Sequence, residues 1–157
     1  MPKISAIIHT HNDGKRIGRT LESLRACDQV IVVDHGSLDE TIRIAREHGA
    51  DVQRQSSEAN STGPVAGALH DWILCLQPNE SLSEGLEASL FEWKATEPGP
   101  AAAYSFAIRE ETEDGWRMLD PVPRLVNRKR VRWPGRLPAS DVVGSLLPGE
   151  LMRFCRP

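Results

Sequence analysis

The residues with the clearest chemical potential surround Asp34, in the run Gln29-Val30-Ile31-Val32-Val33-Asp34-His35-Gly36-Ser37-Leu38-Asp39-Glu40-Thr41. Val30 to Val33 are four consecutive β-branched residues without polar alternation, which is what a parallel strand covered on both faces requires. Asp34 falls at the carboxyl end of that strand, the edge at which open α/β sheets bind ligands. Gly36 permits a tight turn, and Ser37 with Glu40 has capping-box spacing, which predicts a helix from Leu38. A carboxylate, a permissive glycine and free backbone N–H groups thus meet at the mouth of a crevice. Asp39, in the first helical turn, serves the helix dipole. His9, His11 and His35 fall on the same edge, where imidazoles can hold metal or phosphate, although their spacing fits no zinc pattern. Arg124, Arg128, Lys129, Arg130, Arg132 and Arg136 form a basic set whose guanidinium forks suit phosphate or an anionic acceptor, with a solvated strand face as the plainer alternative.

These groups need a scaffold that brings strand ends together. Residues 3–9 read as a first buried strand, followed by turn chemistry at Thr10-His11-Asn12-Asp13-Gly14. Ile17, Leu21 and Leu24 make one helical stripe within residues 15–26. The helix expected over 38–48 ends where Gly49 supplies a left-handed cap, and residues 51–55 read as a third, more exposed strand. Crossovers of this length are right-handed, so the three strands are expected to lie parallel in one doubly wound sheet. Residues 56–67 read as a loop or short helix. The apolar run Trp72-Ile73-Leu74-Cys75-Leu76 is a further central strand, and Ser81 with Glu84 has capping-box spacing before a helix carrying Leu86, Leu90 and Trp93. Prolines at 98 and 100 end that helix. Residues 102–109 alternate as a strand, Asp114-Gly115 signals a hairpin, and the proline-broken pieces at 124–128 and 151–155 complete an antiparallel or irregular last third.

The 157 residues, 39% of them hydrophobic, fit one domain with a buried core. A formal net charge of -3 gives no general attraction to nucleic acid or anionic membrane, so any anion site must be local. No apolar run reaches the roughly 20 residues needed for a membrane span. Three cysteines without metal-type spacing, one of them inside an apolar run, fit a reducing cytoplasm.

The run from Val32 to Thr41 resembles the Val-Val-Asp-x-Gly-Ser-x-Asp-x-Thr signature of family 2 glycosyltransferases of the GT-A fold, and residues 45–50 continue it. Residues 4–13 resemble the opening strand of that family and its Thr-x-Asn-Glu turn, with Asp13 standing for the glutamate. The resemblance covers roughly residues 3–95 and is nearest the short bacterial type related to lipopolysaccharide core sugar transferases. It implies an α/β, GT-A-like, mostly parallel sheet with helices on both faces and a small antiparallel C-terminal extension. In that plan residues 1–95 bind the nucleotide sugar and residues 96–157 form the acceptor side of a single domain. Thr10, Asn12, Asp34 and Gly36 would surround the nucleotide, and Gln77, Asn79 and Glu80 would lie near the diphosphate. Arg124 and Arg128 are candidates for phosphate binding. The acceptor, a saccharide or lipid-linked saccharide of the cell envelope, is left open, and Trp116 and Trp133 are the tryptophans placed to stack on sugars.

One departure bears on chemistry. Where such transferases deliver an Asp-x-Asp pair to a divalent metal, this chain reads Gln77-Pro78-Asn79. Amide oxygens can ligate a hard cation, but two negative charges are gone, each worth about 4 kcal/mol at 4 Å for an effective dielectric near 20. Weak or no manganese or magnesium binding is therefore expected, with an arginine from Arg124 to Arg136 taking the role. Leu137-Pro138 replaces an expected His-Glu after the Arg-Leu-Phe-x-Arg-like strand, so no catalytic base is assigned. The alternative function is a degenerate binding or assembly module on the same scaffold.

Overall fold

The structure, a computed structural model, describes residues 1–55, 67–97, 99–133 and 135–157. The loop or short helix expected over 56–67 lies, but for Gly67, outside the described residues. Strand β1 (Ile4–Thr10) leads through α1 (Ile17–Glu22) to β2 (Gln29–Asp34), and α2 (Thr41–Glu47) leads on to β3 (Asp51–Arg54). Next come β4 (Trp72–Leu76), β5 (Glu80–Leu82) and α3 (Glu84–Lys94). The chain finishes with β6 (Ala103–Thr112), β7 (Gly115–Asn127) and β8 (Ser145–Arg153).

Among the described residues one eight-stranded sheet runs in the order β3-β2-β1-β4-β7-β6-β8-β5. β1 is parallel to both β2 and β4, and β2 is parallel to β3, as the unbroken apolar runs require. Register places Thr10 beside Asp34, and Asp34 beside Arg54, so three strand ends share one edge. The last third is not a separate layer: β7 joins the same sheet through antiparallel pairing of Leu125–Asn127 with β4. The 124–128 piece is thus the end of a 13-residue strand that passes through Pro121 and Pro123. Those prolines are tolerated because β4 pairs only with the strand beyond them, and the β6 side accommodates them with register shifts at residues 104–108.

The alternating side chains of the parallel strands feed two cores. Ile4, Ala6, Ile8, Val32 and Leu74 face a cluster that takes apolar side chains from all three described helices, including Leu21, Ala45, Leu86, Leu90 and Trp93. On the opposite face Ile7, Ile31, Val33, Ile73 and Cys75 meet Ala68, Val131, Trp133 and Leu137. The segment that follows β7 therefore covers the second face.

Both helix starts differ from the capping-box expectation. α2 begins at Thr41 rather than at Leu38, because the Ser37 hydroxyl is engaged by the N–H of Asn12 and the first free N–H, that of Thr41, goes to Asp39 Oδ1. α3 is capped by Ser83, whose Oγ accepts from Leu86 N at 3.1 Å. Ser81 lies instead in β5, opposite Met152.

Candidate functional site

Two turns at the shared strand edge are stitched into one surface. After β1, Asn12 takes a left-handed φ of 53°, donates its N–H to Ser37 Oγ and accepts from Leu38 N at 2.8 Å. Asp13 N donates to Thr41 Oγ1, and Gly14 N donates to Asp39 Oδ2. A Cβ on Gly14 would stand 2.9 Å from that carboxylate oxygen, so glycine is what permits the approach. Burial works to raise the pKa of Asp39, but hydrogen bonds from Thr41 and Gly14 outweigh it and hold the carboxyl below its usual value. Asp39 and Thr41 thus fasten the β2 turn to the β1 turn.

Asp34 stands at the centre of this surface, almost wholly buried. Its Oδ2 accepts from Gly36 N (3.1 Å) and Ser37 N (2.9 Å), a turn made possible by Gly36 at φ 88°. Its Oδ1 is buried without a hydrogen-bond partner among the described residues. Beside it a cavity of about 260 Å³ is lined by Asp34, Gly36, Ser37, Leu38, Arg54 and Gln55. Arg54 and Gln55 were not foreseen from the sequence. The signal was present, since a third parallel strand must end on the same edge.

A larger cleft of about 680 Å³ opens on the β1–β4 side, lined by His9, Thr10, His11, Asp13, Arg16, Gln77, Asn79 and Arg136 among others. Thr10 is buried, and its hydroxyl donates to Asp13 Oδ2 at 2.7 Å. His9 Nδ1 and His35 Nε2 lie 2.9 Å apart. Burial, then the nearby Arg136 and His35, push the pKa of His9 down to about 4. Burial and Arg136 likewise lower that of His35. His11 turns its Nδ1 onto His35 O at 2.8 Å. Arg16 and Asp13 line this cleft without having been singled out for it.

The diphosphate-side candidates divide. Gln77 and Asn79 line the cleft, whereas Glu80 does not face it. Glu80 is fully buried, accepts from Gln77 N, and is gripped by Arg124 through Nη1–Oε1 at 2.6 Å and Nη2–Oε2 at 3.1 Å. Arg153 adds two further contacts to Oε2 at 3.2 Å. A carboxylate at the mouth of a strand is costly to bury alone, so two guanidinium groups close over it. Arg124, 3% exposed, is therefore a core partner rather than a free phosphate ligand.

Arg128 is displaced for a topological reason. β7 runs antiparallel to β4, so its end lies at the amino end of β4, where Arg128 meets Asp71 at 4.0 Å. Five residues at about 3.3 Å each separate that edge from the site. Lys129 pairs with the same Asp71, and Arg130 binds the carbonyls of Ala101 and Pro100. Of the basic set, Arg136 is the member in the cleft. Trp133 is buried in the second core, while Trp116 is exposed and packs edge-on against Phe154.

At the expected metal position stand two amides and an enclosed carboxylate. Gln77 and Asn79 offer amides, the Asn79 Nδ2 donates to Phe154 O, and Glu80 is turned into the core. Among the described residues no group of three His, Cys, Asp or Glu side chains is placed to hold a metal ion.

A parallel β1–β2–β3 edge with an acidic turn on β2, extended through β4 into an antiparallel half, defines the GT-A class of α/β domain. A solved mycobacterial protein superposes over 98% of this chain and 65% of its own, with TM-score 0.62 at 15% identity. Mannosyl-3-phosphoglycerate synthase from Rubrobacter xylanophilus does so over 72% and 42%, with TM-score 0.55 at 22% identity. Residues 5–70 match the model of glycosyl transferase family 2. An uncharacterized glycosyltransferase of Rickettsia felis is 40% identical over 96 residues, covering 55% of this chain and 32% of that protein. Over residues 5–70 the chain is thus similar to the family 2 glycosyltransferases, and it spans about a third of the length of the curated relatives it matches.

Proposed function

We propose that this domain binds a nucleotide-sugar donor and passes the sugar to an acceptor hydroxyl. The observation that carries the reading is Asp34: a buried carboxylate whose Oδ2 is fixed by two backbone N–H groups while Oδ1 has no described partner beside a cavity. An unpartnered buried carboxylate oxygen is costly, and a donor on the ligand relieves it. In this reading Gly36 and the Asn12 turn shape the nucleoside pocket, with Thr10 holding the wall between the pocket and the larger cleft. Gln77 and Asn79 border the diphosphate. The larger cleft falls within the range of about 300–1,000 Å³ usual for ligand sites.

Transfer requires the acceptor oxygen to bond to the anomeric carbon as the bond to the diphosphate oxygen breaks, with the hydroxyl proton leaving to a base. What the chain supplies is orientation of the donor and positive charge for the departing diphosphate. Because the amides at 77 and 79 and the enclosed Glu80 make a poor hard-cation site, divalent metal is expected to bind weakly. We assign residues 1–95 to the donor and residues 96–157 to the acceptor side. The acceptor is a saccharide, free or lipid-linked. Three free thiols suit a reducing compartment, and we place the domain in the cytoplasm. Among the described residues no helix is long and apolar enough to cross a membrane.

Thermal unfolding with uridine, guanosine, cytidine and thymidine diphosphates, each with and without manganese, tests this reading. One nucleotide at about a hundredfold excess over Kd should stabilise the fold by about 2.7 kcal/mol. Asp34→Asn should remove that gain. Absence of stabilisation by every nucleotide at millimolar concentration would contradict donor binding.

A further inference from the structure

The cleft holds an arginine that the described residues leave without a counter-charge. Arg136 lines the cleft, is exposed, and makes no hydrogen bond or ion pair among the described residues. A second guanidinium, Arg16, has its Nε 3.7 Å from Asp13 Oδ1, beyond hydrogen-bond reach. The facing strand end contributes neutral Gln77, Pro78 and Asn79. Among the described residues, two arginines against one carboxylate leave the cleft positive, the reverse of what a cation site needs.

Between these charges sits the His9–His35 pair, with Nδ1 and Nε2 2.9 Å apart and the far nitrogen of His35, Nδ1, buried without a partner among the described residues. Since Nδ1 of His9 is taken, Nε2 is the nitrogen it has left for the cleft it lines. The charged and titratable groups around the pair are Arg136 from the segment after β7, Asp34 and His11 from the strand ends, and Asp13 and Arg16 from the β1–α1 turn. Arg136 opposes protonation of both rings. A dianion bound to Arg136 cancels that opposition and adds attraction of its own. Once protonated, the pair presents an N–H at His9 Nε2 and a unit positive charge to the anion.

We propose that this cleft is a metal-free site for a phosphate or diphosphate anion, held by Arg136 and Arg16, and that the anion brings a proton onto the His9–His35 pair as it binds. The identity of the natural anion, the diphosphate of the donor, rests on the function proposed above; the site itself rests on its own charges. The anion needs no cation because two forks and an imidazolium replace it. The direction of the pH effect is fixed. Proton uptake on binding means that affinity strengthens as pH falls from about 7.5 toward about 6.

Calorimetric titration of inorganic pyrophosphate into the full chain, with EDTA present and in two buffers of different ionisation enthalpy, tests this. EDTA should leave the affinity unchanged, and Arg136→Gln should weaken it about tenfold to a hundredfold. Uptake of protons per pyrophosphate should be larger for the wild type than for His9→Gln, and smaller for Arg136→Gln, whose free His pair is no longer opposed. Arg136 is exposed, so that variant reads out even where His9→Gln does not fold. A requirement for manganese, undiminished binding by Arg136→Gln, or proton uptake equal in the wild type and Arg136→Gln would overturn the proposal. A parallel titration with nucleoside diphosphates separates the two readings. Pyrophosphate bound when no nucleoside diphosphate is would keep the anion site and remove the donor. A nucleoside diphosphate bound equally by wild type and Arg136→Gln would do the reverse.

Discussion

Glu80 shows how far one residue type underdetermines its role. From the sequence it is an anionic group at a strand end beside Gln77 and Asn79. In the structure it is a fully buried acceptor for Arg124, Arg153 and the N–H of Gln77. No local pattern reports this, because both arginines are more than 40 residues away in sequence. Glu80→Gln should leave Arg124 buried without its counter-charge and destabilise the fold by about 3–5 kcal/mol in urea unfolding. Arg124→Met combined with Glu80→Gln should be less damaging than the two single effects summed, since the second change removes the stranded charge. A Glu80→Gln variant of unchanged stability would return this residue to the cleft. Asp34, by contrast, was legible as a ligand-edge carboxylate, because a strand too apolar to be anything but central delivered it there. The buried cation partners of Glu80 and the placement of Arg136 were not, since both depend on β7 and the segment after it.

At the scale of elements, the parallel strands of the first half could be read directly. β1, β2 and β4 announce themselves by unbroken apolar runs, and the crossover rule orders them with β3 on one edge. Helix starts were less legible. Each capping-box serine had a competing partner, Asn12 N for Ser37 and strand pairing for Ser81, and tertiary bonds won over local spacing. The prolines in β7 read as breaks because the sequence does not reveal which stretch of that strand lacks a β4 neighbour. How β8 crosses α3 was likewise hidden, although it depends on one residue. Gly149 has φ 104°, and a Cβ there would meet Leu86 N at 2.3 Å and Leu86 Cα at 2.5 Å. Both clashing atoms are backbone at the start of α3, so neither can rotate away. Gly149→Ala should cost about 3 kcal/mol or more and lower the thermal midpoint, whereas an alanine elsewhere on exposed β8 should not. Unchanged stability would show that α3 is free to shift from β8.

Over the whole molecule, the continuous sheet places a cavity of about 260 Å³ beside Asp34 and a larger cleft of about 680 Å³ beside Thr10 along one strand edge. The small net charge of -3 makes the cleft's local cations the source of any anion attraction. The residues that the sequence links to the nucleotide are brought together, and the cleft that Gln77 and Asn79 line also holds Arg136 and His9. The central claim is that the Asp34 turn receives a nucleotide, and residue-resolved NMR measures it most directly. On titrating the preferred nucleoside diphosphate into ¹⁵N-labelled protein with EDTA present, the amides of Gly36, Ser37 and Gln55 should shift saturably, and Asp34→Asn should abolish the shifts while leaving the rest of the spectrum in place. No shift at these amides with any nucleoside diphosphate at millimolar concentration, or shifts there that survive Asp34→Asn unchanged, would contradict it.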